Sequence, residues 1–507
     1  KDLRPPLPSS IDIYPILAQN AGMANPDFPV MTSAEKQGVE RPMKVLFIYT
    51  DINVRGGALS YQFGIGQLSA VLKQNGHDAR QHHMFGKFDL EPLRRELEEY
   101  RPDIVGFHLV YPQFHFVRRI LRELKPWQAF VIAGGAHPTV QPESCIKDLP
   151  ELDAICLGEG EYALLDLANA LRDGQPVDAI RNLWVRRRDG TIARNPLRPF
   201  IQDLDSLPFM DREICDYQAV IDSDFKTATF QFGRGCPFDC TYCSNHIIRA
   251  SQEGAYVRFR SVDGCLEEIR RVVSKYDVKT LYLNDDTFMV KKAWFEEFCD
   301  KYPKQFSLPI LVNARPEQIN EDVCRRLAAA HCQRVTMGVE HGNEKYRAEV
   351  LRRKMTNESI LRAFALCKKY GFKTKAHLLV GLPYETPQLH EDTVKSTVDI
   401  MPDSFNLHVF EPYPGTHLAD ICYRENLIDP ERANVDFVGQ TDTVLNMPQF
   451  PRSEILRAFR LFPWRVYKHK SILKAFPYLV YYSRWGNWLV RILQPIKRLV
   501  RKLAMGV

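Results

Sequence analysis

Gly233-Arg234-Gly235-Cys236-Pro237-Phe238-Asp239-Cys240-Thr241-Tyr242-Cys243-Ser244 sets three cysteines at positions i, i+4 and i+7. The run directly before it, Thr227-Ala228-Thr229-Phe230-Gln231-Phe232, alternates in the manner of a strand. Thiolates hold iron–sulfur clusters, and a loop that wraps a cubane needs closely spaced cysteines with small or turn-forming neighbours. Three ligands for four irons leave one iron open to a small molecule. The alternatives are a zinc knuckle and buried free thiols. Structural zinc asks for four ligands, and the nearby candidate, His246, stands at an unusual spacing. Free thiols do not explain the spacing at all.

Downstream of this loop, strand and helix alternate six times. Strands are expected at Thr227–Phe232, Thr280–Asn284, Pro309–Asn313, Arg334–Val339, Lys373–Val380 and Ser404–Phe410. Helical spacing fills the gaps, from Val262–Ser274 to Thr386–Ile400. Parallel strands with right-handed crossovers curl into a partial (β/α)6 barrel whose polar groups gather at the strand C-termini. Those ends carry Asp285-Asp286, Arg315, Glu340-His341-Gly342 and Gly381-Leu382-Pro383. As plain residues, each could equally be a salt-bridging member of the rim.

Upstream, residues 43–164 read as five strands with crossover helices, at Val45–Tyr49, Asp78–His83, Asp103–Leu109, Ala129–Ala133 and Ala154–Leu157. That pattern predicts a doubly wound, Rossmann-like parallel sheet, which binds ligands at its C-terminal edge. Gly56-Gly57, Gly134-Gly135 and Gly158-Glu159-Gly160 fall at that edge and let a ligand approach the backbone. Residues 1–42 read as an extended arm, 165–226 as a connector, 227–430 as the barrel and 431–507 as a helical C-terminal region.

The composition is that of a globular protein, with 45% hydrophobic and 26% charged residues in 507. Twelve cysteines, three of them in one cluster, fit a reducing cytoplasm better than a disulfide framework. Residues 1–42 show no signal-peptide pattern. Twelve lysines and arginines follow Glu454 and no acidic residue does, so the net charge of +6 leaves −6 on the preceding chain. A mildly acidic body argues against nucleic acid as a partner. Between Trp485 and Met505, apolar residues recur at helical spacing with Arg491, Arg498, Arg501 and Lys502 largely opposite, and Pro495 interrupts the run. No stretch reaches the length of a membrane span, and the tail reads as an interfacial anchor on the cytoplasmic membrane face. A helix packed on the acidic body is the other reading.

The cysteine spacing at the end of a first barrel strand resembles the radical S-adenosylmethionine (SAM) enzymes, and the glycine-edged sheet before it resembles their cobalamin-binding branch. The resemblance spans roughly residues 43–430. It implies a [4Fe–4S] cluster on Cys236, Cys240 and Cys243, SAM on its open iron, and cobalamin on the first sheet. By the same resemblance Gly134, Gly135, Gly158 and Glu159 line the cobalamin nucleotide tail. The Asp285/Asp286 pair receives the SAM ammonium or lies near the substrate, Arg315 meets its carboxylate, Glu340 its ribose and the Gly381 turn its adenine. His341 replaces the family's usual serine and could face the substrate. Asn53 stands where relatives that ligate cobalt through histidine carry that histidine, so ligation from this loop is not expected. His108 and His137 read as satisfied loop histidines. The implied activity is generation of a 5′-deoxyadenosyl radical and methylation of an unactivated carbon, on a small-molecule, hydrophobic or lipid-like substrate. A reducing donor such as flavodoxin or ferredoxin would serve it. Radical oxidation, cyclisation or rearrangement without methyl transfer is the alternative, and a non-catalytic cobalamin or metal-binding sensor is a third.

Overall fold

The computed structural model describes residues 41–52, 58–429, 431–432, 440–473 and 475–476. The first apolar run forms β1 (Lys44–Ile52), and its seven inner residues are all buried, as in a strand covered on both faces. Around it lie β2 (Asp78–Gly86), β3 (Ile104–His108), β4 (Phe130–Gly134) and β5 (Ala154–Cys156). These five are parallel, in the order β2-β1-β3-β4-β5. The expected doubly wound sheet is present, with its switch point beside β1. Two strands were not expected: β6 (Leu183–Arg186) pairs antiparallel with β5, and β7 (Ile192–Arg194) pairs antiparallel with β6. They lie inside the expected connector, and at four and three residues they are too short to show a period.

The second unit begins with β8 (Thr227–Phe230). A two-residue antiparallel pair, β9 (Gly233–Arg234) and β10 (Arg258–Phe259), then ties down the cysteine loop from both sides. The remaining strands are β11 (Thr280–Leu283), β12 (Ile310–Ala314), β13 (Cys332–Glu340), β14 (Lys373–Val380) and β15 (Ser404–Val409). Together with β8 they form one parallel sheet in the sequential order β8-β11-β12-β13-β14-β15, the open barrel the six repeats predict. Ser261, Asn320, Thr356 and Thr386 cap the intervening helices by accepting hydrogen bonds from amides of the first turn. Helix Arg452–Tyr467 closes the far side, packing Ile455 and Phe459 with Val380 and Val409.

One apolar core runs from the first sheet into the barrel, joining Phe47 and Ile132 through Tyr217 to Phe230 and Phe298. Beside it, Arg212 and Glu268 form a buried pair at 3.0 Å, and the Arg212 guanidinium also bonds the Tyr217 hydroxyl and the Thr229 carbonyl. The two units are therefore packed as one body, which fixes the C-terminal edge of the first sheet against the cysteine loop. Residues 1–40 of the N-terminal arm, Asn53 and Gly56-Gly57, and the basic helix expected in the tail lie outside the described residues. Among the described residues no helix is long and apolar enough to cross a membrane.

Candidate functional site

The cysteine loop leaves β8 through Gly235, whose φ of +88° is left-handed and whose absent Cβ would stand 2.3 Å from the Tyr256 carbonyl. Only glycine allows this approach, so the turn into Cys236 is written into the sequence. None of the three cysteines is in a disulfide, and Cys240 is buried. Two guanidinium groups face its sulfur: Arg315 Nη1 at 3.4 Å and Arg353 Nη1 at 3.5 Å. Asn245 Nδ2 lies 3.4 Å from Cys243 Sγ. Burial pushes the Cys236 thiol up to about 11 and raises that of Cys243. Such thiols need a positively charged partner to become thiolates, and iron, when bound, would supply it. Two arginines beside Cys240 suit an anionic cluster. The donor set and its surroundings fit one.

The strand ends do not all serve as expected. The aspartate pair divides. Asp285 is 2% exposed, and its Oδ1 accepts hydrogen bonds from the amides of Phe232 (3.0 Å) and Gly233 (2.6 Å). Its Oδ1 pins the entry to the cysteine loop, its Oδ2 is buried without a hydrogen-bond partner, and burial pushes its carboxyl up to about 7. Asp286 instead lines the cavity described below and accepts from Asn245 Nδ2 at 3.1 Å. Arg315 lies flat on Phe238 (3.7 Å from guanidinium carbon to ring centroid), bonds Glu317 at 2.6 Å and points at Cys240.

Glu340 ends β13 with a left-handed φ of +66° beside Arg353 and Tyr242. Burial raises its carboxyl, against the pull of those two groups. Gly381 also has a left-handed φ, +78°, and the amides of Gly381 and Leu382 donate to Glu385 Oε2 at 2.6 and 3.0 Å. Burial opposes ionisation of Glu385, but His341 and His390 outweigh it and hold the carboxyl at about 2. His341 is fully buried, with Nε2 3.4 Å from Glu385 Oε1 and its ring 4.3 Å from that of Tyr346. It stands beside the Glu385 that holds the Gly381 turn, and it is not among the residues that line the cavity described below.

Between the two sheets lies a cavity of about 410 Å³. Gly134, Gly135, Gly158 and Glu159 line it from the first unit, and Arg234, Gly235, Asn245 and Asp286 from the barrel. Gly135 has φ +121°, and a Cβ there would come within 2.8 Å of the Leu109 carbonyl. The backbone thus forms a cradle at the sheet edge, and the cavity extends from it to Phe47, Gly106 and Leu164. Glu159 lines the cavity, but its carboxylate is engaged by Arg234 (2.7 Å), Arg258 (3.0 Å) and the Ile201 amide (2.7 Å). Burial works against its charge, and the two arginines still hold it below the usual carboxylate range. It is a tie between the units as well as a wall. His108 also lines the cavity, bonded to Gln62 and Gln113, and burial lowers it to about 4, so the ring is neutral. His137 is buried against Phe114.

Sequence reasoning missed Arg353, Asn245, Arg234 and Glu385. Arg353 sits in Arg352-Arg353-Lys354, which reads as a solvated charge run, yet it is 4% exposed. Asn245 and Arg234 flank the cysteines directly, and that adjacency was the available signal.

Family comparison matches residues 50–168 to the B12 binding domain and residues 230–396 to the Radical SAM superfamily, together more than half of the chain. An uncharacterized methyltransferase of Pyrococcus horikoshii is 27% identical over 378 residues, covering 73% of this chain and 79% of that protein. An anaerobic magnesium-protoporphyrin IX monomethyl ester cyclase of Rubrivivax gelatinosus is 28% identical over 417 residues, covering 77% and 72%. Among solved structures, the radical SAM methyltransferase TsrM of Kitasatospora setae, with tryptophan substrate and a SAM analogue bound, superposes with a TM-score of 0.62. It is 17% identical and covers 86% of this chain and 88% of its own, a likeness of fold. A B12 binding domain, a Radical SAM domain after it and a three-cysteine loop following the first strand of that second domain place the chain in the cobalamin-binding branch of the radical SAM enzymes.

Proposed function

We propose that the chain methylates an unactivated carbon using a [4Fe–4S] cluster, SAM and cobalamin. One observation carries this reading: a single cavity is bounded by the glycine cradle of the first sheet and by Arg234, Gly235, Asn245 and Asp286 around the cysteine loop. Cys236, Cys240, Cys243, Arg315, Glu340 and Gly381 are not among its lining residues, but the cysteine loop adjoins that wall through Gly235, Asn245 and Asp286, and cofactors held on the two walls could act on one substrate carbon. When bound, the cluster with SAM supplies a hydrogen-abstracting radical and cobalamin supplies a methyl group; the protein holds, orients and shields.

In this assignment Cys236, Cys240 and Cys243 hold three irons, and Arg315 and Arg353 offset the charge of the Cys240 sulfur. Asp286, at the cavity wall beside Asn245, receives the SAM ammonium in place of the pair. Arg315 also meets its carboxylate, Glu340 its ribose, and the Gly381 turn, held by Glu385, its adenine. Gly134, Gly135 and Gly158 cradle the cobalamin tail. The buried aromatic floor beneath them, Phe47 and Phe232, excludes water.

The substrate proposed is hydrophobic. Ile472, Leu473 and Phe476 are 66%, 86% and 58% exposed just before the basic tail, beside Lys468 and Lys470. These side chains support reversible contact with an anionic membrane, where lipid-like substrates reside. Co-sedimentation with anionic vesicles is expected for the full chain and lost on deleting residues 472–507; equal partitioning of both would refute it. A flavodoxin- or ferredoxin-like donor would reduce the cluster.

The match to an anaerobic cyclase favours a second reading, radical ring formation without methyl transfer. Reduced enzyme given SAM and a lipid extract separates the two. Methyl transfer yields 5′-deoxyadenosine and S-adenosylhomocysteine together, whereas ring formation yields 5′-deoxyadenosine alone.

A further inference from the structure

Three side chains beside the cysteine loop take no part in the site above. Asp239 precedes Cys240, His246 lies in helix Asn245–Ser251 just after the loop, and His417 opens helix His417–Arg424 beyond β15. One carboxylate oxygen and one nitrogen from each imidazole all lie within 4.8 Å of one another. The two rings stack with centroids 3.9 Å apart and planes 11° apart, so one ring must turn out of the stack for both in-plane nitrogen lone pairs to meet at one ion. His246 is 9% exposed, and neither of its ring nitrogens has a hydrogen-bond partner of good geometry. The Cys243 main chain is the one backbone group that acts on its charge. A buried imidazole with unused donor and acceptor atoms, set against a second imidazole and a carboxylate, lacks a partner that the chain itself does not supply.

The backbone holds these groups together from two directions. The Leu418 amide donates to the Thr241 carbonyl at 2.9 Å, and Thr241 Oγ1 donates to the Val350 carbonyl at 2.7 Å. His417 is thereby docked on the cysteine loop whatever the loop binds. Asp239 Oδ2 accepts from Arg352 Nη1 at 2.7 Å, and Arg249 Nη2 lies 3.5 Å from Oδ1. A guanidinium on one carboxylate oxygen leaves the other oriented for a ligand, the usual support of a metal-bound carboxylate. The long Arg249 contact is the one a metal would displace. Two imidazoles and one carboxylate suit zinc, iron(II), cobalt or nickel rather than magnesium or calcium, and three protein ligands leave a position for water.

We propose that Asp239, His246 and His417 bind one divalent first-row transition ion, separate from any iron on the cysteines, and that this ion staples the loop carrying Cys236 and Cys240 to the helix after the last barrel strand. The site uses none of the three cysteines, so it stands or falls independently of the proposed reaction.

The test uses the full chain, reconstituted anaerobically with iron and sulfide, equilibrated with zinc and desalted before metal counting. One zinc per chain is expected, with iron unchanged. His417→Ala and, separately, His246→Gln are expected to retain less than a tenth of that zinc while keeping wild-type iron. Cobalt(II) in place of zinc should show visible d–d bands in the wild type that both variants lose. Zinc should also raise the thermal midpoint of the wild type and leave that of the variants unmoved. No zinc retained by the wild type, zinc retained by both variants, or zinc gained in step with iron lost would each overturn the proposal.

Discussion

Replacing Asp285 by alanine separates the two roles that a carboxylate after β11 can have. In the structure its Oδ1 is the acceptor for two buried amides, those of Phe232 and Gly233, four and three residues ahead of Cys236. Truncation leaves both donors unsatisfied, at about 1–3 kcal/mol each, so Asp285→Ala should cost about 2–6 kcal/mol. Asp285→Asn keeps an acceptor oxygen in place and should cost about 1 kcal/mol. Urea unfolding of the full chain without cofactors, followed by tryptophan fluorescence, measures both. Iron content after reconstitution should fall in the alanine variant, because the loop entry is no longer fixed. If Asp285→Ala unfolds at the wild-type midpoint and takes up wild-type iron, while its affinity for SAM drops, the carboxylate is a SAM ligand and the assignment as a loop pin is refuted.

Arg353→Ala removes a buried cation 3.5 Å from the Cys240 sulfur, so the reduced, more negative cluster should be harder to form. Redox titration followed by electron paramagnetic resonance should show a more negative midpoint, and an unchanged midpoint would contradict the placement. Arg234 bridges Glu159 and Glu161 at 2.7 and 2.5 Å, and Arg234→Ala leaves Glu161 unpaired at 6% exposure. A loss of about 3 kcal/mol is expected by denaturant titration, partly recovered by adding Glu161→Gln. Glu411, after β15, is 7% exposed, and burial pushes its carboxyl up to about 8 against a hydrogen bond from Gln440. The folded chain therefore keeps a proton that the unfolded chain loses from about pH 4.5 upward, so this group lowers stability as pH rises to about 8, by at most about 1.4 kcal/mol per pH unit. Unfolding midpoints at pH 5.5 and 8.5 should differ less in Glu411→Gln than in the wild type.

The parallel strands of both sheets were legible because strand and helix alternate along the chain and because runs such as β1, β3 and β4 are apolar and buried along nearly their whole length. The hairpin β6–β7 and the pair β9–β10 were not, since strands of two to four residues carry no period. Around the site, glycines were legible where a left-handed turn or close approach excludes every other residue, as at Gly135, Gly235 and Gly381. Cys236, Cys240 and Cys243 were legible from spacing alone. The charged residues were not. Asp285 and Asp286 are adjacent in sequence, yet one turns inward to two amides and the other to the cavity, a difference of side-chain direction that composition cannot encode. Glu385 and His341 look like rim polar groups in the sequence, and only packing shows that they buttress the Gly381 turn.

The central claim is that one cavity joins an iron–sulfur loop to a cobalamin cradle. Iron and cobalt counting on the anaerobically reconstituted full chain, supplied with hydroxocobalamin and desalted, tests it most directly. About four irons and one cobalt per chain are expected. Cys240→Ala should lose most of the iron and keep its cobalt, and Gly135→Val, which drives a side chain toward the Leu109 carbonyl, should do the reverse. Full iron in Cys240→Ala, or a wild type that retains no cobalt, would contradict the account.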